Sequence, residues 1–160
     1  MDSKLQKLLE RISWDKDKYS YFEEAKIDKI IGNQDKTEYT FFINIKNTLP
    51  STIFDDFIHN LKEGFDISKT TVIFRVDNVD EYRVQEYFSY LIGRYGNKCP
   101  AILTLIDTDV EIKDDTLIIV VNNMTEENKI YGLDKDIIFD FSVIQSRRSR
   151  CFIGFFWLYS

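Results

Sequence analysis

The chain has 160 residues, the length of one ordinary domain with room for a real core. Hydrophobic residues at 44% and aromatics at 15% exclude a disordered tail. The net charge of −6 excludes tight, sequence-independent binding to duplex DNA, which runs on neutralising phosphates.

The opening stretch, MDSKLQKLLERIS, is polar and amphipathic and has no signal-peptide core, so the cytoplasm is the expected location. Leu5, Leu8, Leu9 and Ile12 lie at helical spacing, with Ser3 and Gln6 as a capping box, and lysines and glutamates take the other face. Such a helix packs on its own domain as the leading reading, with a partner-binding helix as the alternative. Tyr21 to Ile31 reads as a strand ended by Gly32-Asn33. Glu38 to Lys46 alternates, with Tyr39, Phe41, Ile43 and Ile45 on one side. Together these two make an antiparallel hairpin with one face on the core. Pro50 then opens a helix whose buried stripe is Ile53, Phe54, Phe57, Ile58 and Leu61, with Gly64 at its end. TTVIFRVD alternates Val72, Phe74 and Val76 in a third strand.

Residues 82–121 organise the second half of the chain. Val84, Tyr87, Phe88, Leu91, Ile92 and Tyr95 share one helical face, and Asn78 with Glu81 predicts a start near Val79. Gly93 and Gly96 predict a break, and Pro100 starts a short, buried helix over Ala101 to Ile106. Val110–Lys113 and Thr116–Val121 read as a hairpin turning at Asp114-Asp115. Beyond Gln145 the only charges are Arg147, Arg148 and Arg150, which leaves 18 basic against 27 acidic residues before them, a net of −9. The last residues, FIGFFWLY, are apolar but too short to span a bilayer.

Residues with chemical potential are few. His59, the one histidine, lies beside an apolar stripe with no partner for a triad or zinc site, so it reads as a boundary residue. Asp107, Asp109 and Glu111 alternate, but an EF-hand loop started at Asp107 would need glycine and glutamate where Ile112 and Ile118 stand. A solvent-facing strand edge accounts for them. Asp55-Asp56 suits the positive end of a helix. Cys99 and Cys151 form no disulfide framework or metal spacing. The most suggestive segment is Gly93-Arg94-Tyr95-Gly96 followed by Lys98. KH domains clamp single strands with a G-x-x-G loop between two helices, so a KH-like nucleic-acid module is the alternative reading, and a plain helix break the leading one.

Several stretches together carry a family resemblance. Lys26-Ile27-Asp28-Lys29-Ile30, Tyr39-Thr40-Phe41-Phe42-Ile43, Leu49-Pro50, Val84-Gln85 with Tyr87-Phe88-Ser89, Pro100 to Leu105, and Asp115 to Val120 come one after another in the order of a known pattern. The chain resembles, from about Leu5 to Val143, the N-terminal domain of the PolC-type DNA polymerase III α subunit. The resemblance implies an α+β domain over 1–145, a small antiparallel or mixed sheet with helices on one face, with a KH-like arrangement as the alternative. The family pattern also implies a long last helix and then a final strand. Here NNMTEENKIYGLDKD leaves space for about two helical turns, and Ile137–Val143 stands where that strand belongs. Residues 146–160 resemble nothing in the family and are expected to be an aberrant basic and aromatic tail, the product of a truncated or shifted frame, or else a hydrophobic hook. Functionally, the resemblance implies a non-catalytic replisome domain whose partner is the clamp-loader τ subunit or another replisome protein. It implies weak or no nucleic-acid binding, no membrane and no small-molecule substrate. The polymerase, its 3′–5′ exonuclease and their Mg²⁺ belong to other domains of that family, so no cofactor is expected here.

Overall fold

The structure is a computed structural model that describes residues 1–65, 69–113, 116–145 and 154–159. The chain divides into two compact units, one built on Met1–Val79 and one on Asp80–Ser142. Both are α+β, each with a three-stranded mixed sheet.

The first unit opens with helix α1 (Ser3–Arg11). Its cap is Asp2, whose carboxylate accepts from the Leu5 N–H at 2.8 Å, one residue ahead of the predicted Ser3 box. The stripe of Leu5, Leu8, Leu9 and Ile12 is buried as its spacing requires. A 3₁₀ turn over Lys16–Phe22 comes next, so the predicted strand from Tyr21 begins later, as β1 (Lys26–Gly32). The reason lies in Phe22. It is fully buried among Trp14, Phe57 and Phe74, at centroid distances of 5.8, 5.2 and 6.4 Å, and this aromatic nest holds the chain in a turn. β1 runs antiparallel to β2 (Glu38–Asn47), with a bulge between Ile27 and Lys29. β2 runs parallel to β3 (Lys69–Asn78), which a hairpin cannot achieve. The crossover is made by α2 (Ser51–Gly64), which buries Ile53, Phe54, Phe57 and Leu61 and leaves Ile58 at the boundary. Phe41, Ile43, Ile45, Val72, Phe74 and Val76 complete this core.

The second unit begins with a 3₁₀ turn at Glu81–Arg83, not with a helix at Val79. β3 extends through Asn78, and the Asp80 carboxylate accepts from the Tyr82 N–H at 3.0 Å, so the turn starts there. Helix α3 (Val84–Gly96) then passes straight through Gly93. The Pro100–Leu105 segment is a 3₁₀ turn that buries Ile102 and Leu105 and exposes Leu103 and Ile106, so it is half as buried as its composition suggests. β4 (Val110–Lys113) and β5 (Thr116–Val121) pair antiparallel within the predicted limits, and the turn residues 114–115 lie outside the described residues.

Two helices come after β5, α4 (Met124–Tyr131) and α5 (Asp134–Gln145). α4, at eight residues, is the two turns for which the sequence left room, whereas α5 corrects the expectation of a final strand at Ile137–Val143. Ile137, Phe141 and Ile144 are buried at helical spacing, whereas Phe139, which a strand would bury beside them, is 58% exposed. In the segment 146–160 the backbone of Gly154–Tyr159 forms β6, parallel to β5; Cys151 and the arginines at 147, 148 and 150 lie outside the described residues.

Candidate docking site

Lys4, Lys7 and Arg11 recur along α1 at i, i+3 and i+7, which places three cationic side chains on one helical face. All three are exposed. They form one side of a groove of about 520 Å³ whose remaining lining is Leu8, Ile27, Ile30, Tyr39, Phe41 and Phe65. The floor is therefore apolar, and no carboxylate lines it. The strand pairing builds that floor. Ile30 lies opposite Phe41 and Gly32 opposite Tyr39, so these residues share a sheet face. Gly32 matters here because a Cβ would come within 3.2 Å of the Tyr39 ring, which lies across it. At the far end the Arg11 guanidinium sits 4.3 Å from the Phe65 ring centroid, and its Nε donates to the Gly64 carbonyl at 3.5 Å.

Beside the groove, β1 is an edge strand whose only partner among the described residues is β2. Edge strands are usually blunted by charge or by a bulge. The bulge in β1 lies at its start, and its second half presents Ile30 and Ile31, each 50% exposed.

The G-x-x-G pattern has another fate. Gly93 and Gly96 are helical, inside the last turn of α3, so no loop between two helices exists there. A Cβ on Gly96 would come within 2.2 Å of Leu103 Cδ2, so this glycine admits the following 3₁₀ turn against the helix. Arg94 lies over the Tyr90 ring at 5.6 Å, and the Tyr95 hydroxyl donates to the Asp140 carboxylate. Burial raises the pKa of both Tyr95 and Asp140. Lys98 lies in the turn after the helix, its N–H donating to the Tyr95 carbonyl at 3.1 Å. These five residues are thus brought together as a helix end.

The other candidates scatter. His59 is exposed on α2 and approaches Glu63 at 3.2 Å. Glu111 lies in β4, but Asp107 and Asp109 precede the strand, so the predicted strand edge holds for the last of the three alone. Asp56 pairs with Lys18 at 2.9 Å, and this bond raises the Lys18 pKa. Cys99 is exposed and free. Among the described residues no group of three or more His, Cys, Asp or Glu side chains could hold a metal ion, and no helix is long and apolar enough to cross a membrane. The outer face of α1 was legible as one of lysines and glutamates, not as a cationic stripe of Lys4, Lys7 and Arg11. Its spacing was visible, but nothing in the sequence placed an apolar floor beside it.

Comparison with known proteins bears on the same unit. Residues 4–76, which include the whole groove, match the family described as DNA polymerase III polC-type N-terminus I. Over 132 residues, 79% of this chain, it is 26% identical to the DNA polymerase III PolC-type of Oceanobacillus iheyensis. Over 124 residues, 74% of this chain, it is 29% identical to that of Bacillus subtilis. In each case the match spans 9% of the relative's length. No solved structure matches the chain significantly. Through residues 4–76, then, the chain is similar to the N-terminus I family of PolC-type DNA polymerase III.

Proposed function

We propose that this chain acts in DNA replication as a non-catalytic docking domain of a PolC-type DNA polymerase III, and that its partner is the clamp-loader τ subunit. The observation that supports this reading is the groove between α1 and the β1–β2 hairpin, which lies wholly inside the family-matched region. It offers an apolar floor and a charged rim, the anatomy of a protein-binding patch. The acidic balance of the chain agrees with a protein partner better than with a phosphate backbone. On this reading the chain works in the cytoplasm and needs no cofactor of its own, while nucleotide transfer and its Mg²⁺ belong to other parts of the polymerase.

Isothermal titration of the purified chain with purified τ subunit tests the proposal. Saturable heat with a defined stoichiometry is expected. Absence of heat at several temperatures, together with separate elution of the two proteins in gel filtration, would refute it.

A further inference from the structure

The lining of the groove says more about its occupant than the family does. Lys4, Lys7 and Arg11 supply three positive charges along one side, and no lining residue supplies a negative one. In a chain of net charge −6 this is a local inversion of sign. Among the described residues Lys4 and Lys7 have no ion-pair partner of their own. Opposite them the floor is made of Leu8, Ile27, Ile30, Tyr39, Phe41 and Phe65, which reward buried hydrocarbon and offer nothing to a phosphate. A volume of about 520 Å³ has room for a few apolar side chains. The outer edge of β1, free among the described residues, adds backbone donors and acceptors for an extended chain.

We infer that this groove seats an acidic segment of a partner protein, its apolar side chains on the floor and its carboxylates against Lys4, Lys7 and Arg11. The inference rests on the docking reading above and specifies the chemistry of the partner. Charge complementarity selects acidic over basic segments and speeds their encounter. Nucleic acid is a poorer occupant. The cations are too few for a phosphate track inside an acidic chain, and the Phe65 ring, the natural stacking platform, already carries the Arg11 guanidinium.

Fluorescence anisotropy with the full chain tests this. The probes are a labelled synthetic peptide alternating Asp or Glu with Leu and Phe, its counterpart with Lys replacing the acids, an acidic peptide without apolar residues, a single-stranded oligonucleotide, and phosphatidylserine vesicles. The first should bind saturably and weaken with salt, and the others should not bind. The double variant Lys4→Glu, Lys7→Glu should weaken it by roughly tenfold or more, and Ile30→Asp should do likewise. All three positions are exposed, so melting temperatures should match the parent. Equal binding of the basic peptide, the oligonucleotide or the vesicles would overturn the inference, as would unchanged affinity in both variants. The two readings separate cleanly. If the acidic peptide binds and τ does not, the groove chemistry stands and the τ assignment falls. If τ binds parent and double variant alike, docking stands and this inference falls.

Discussion

Gly64 and Gly93 are both helical glycines, yet they are glycines for different reasons. A Cβ on Gly64 would come within 2.8 Å of Ile12 Cγ2 and 3.0 Å of Ile12 Cα, so α2 ends against the backbone that closes α1. Around Gly93 no atom lies within 4 Å of such a Cβ. Gly64→Ala must push the two helices apart and should cost about 1–3 kcal/mol. Gly93→Ala should gain roughly 0.5–1 kcal/mol by removing a flexible residue from a helix interior. Urea unfolding midpoints should therefore move in opposite directions, and equal shifts would contradict the packing described. Asp140 gives a second handle at this scale. Burial raises its pKa above the usual 3.8, outweighing the hydrogen bond from Tyr95 and the charge of Arg94, while Asp136 adds to the rise. The folded state thus holds this proton more tightly than the unfolded chain. That contribution to stability is fully present below the ordinary carboxylate range and is lost as pH rises through the raised value. Asp140→Asn keeps an acceptor for the Tyr95 hydroxyl without the charge. It should melt higher than the parent at neutral pH, with the gap closing as pH falls into the ordinary carboxylate range. A pH-independent gap would show that burial of the charge is not the cause.

At the scale of elements, the sequence was legible wherever one face alone was apolar. The stripes of α1, α2 and α3 and the alternation of β2 and β3 each had a single solution, because a shift of one residue would expose the whole set. Ile137 to Val143 had two. Its odd positions alternate as a strand would, while Ile137, Phe141 and Ile144 also fit a helix, and only the outward Phe139 separates them. Tyr21 and Phe22 misled for a different reason, since a β-favouring aromatic pair lies in a turn that fills a hole among rings. The candidate site was half visible. The spacing of Lys4, Lys7 and Arg11 is local, but their apolar neighbours arrive through strand register and the crossover of α2. Some pattern residues of α3 gained a role that no periodicity announces. The Gln85 amide donates to the Thr108 carbonyl and accepts from the Val110 N–H, both at 2.9 Å, and the Ser89 hydroxyl donates to the Ile106 carbonyl at 2.8 Å. One turn of helix thereby holds the run into β4. Gln85→Ala leaves both backbone groups without this partner and should cost about 1–3 kcal/mol, measured by the same urea titration. An unchanged midpoint would mean that water replaces the amide without penalty.

Across the whole molecule the distribution of charge is the feature that bears most on function. An acidic chain that concentrates three cations beside an apolar groove, inside the region shared with a replicative polymerase family, is suited to holding another protein. On the function proposed above, this groove is the surface that τ would occupy. Amide hydrogen exchange of the chain, alone and with saturating τ subunit, tests it most directly. Slowed exchange is expected along Ser3–Arg11 and Lys26–Gly32, the two elements that flank the groove. Protection confined to Val84–Gly96 and the elements after it, with α1 and β1 unchanged, would contradict the account.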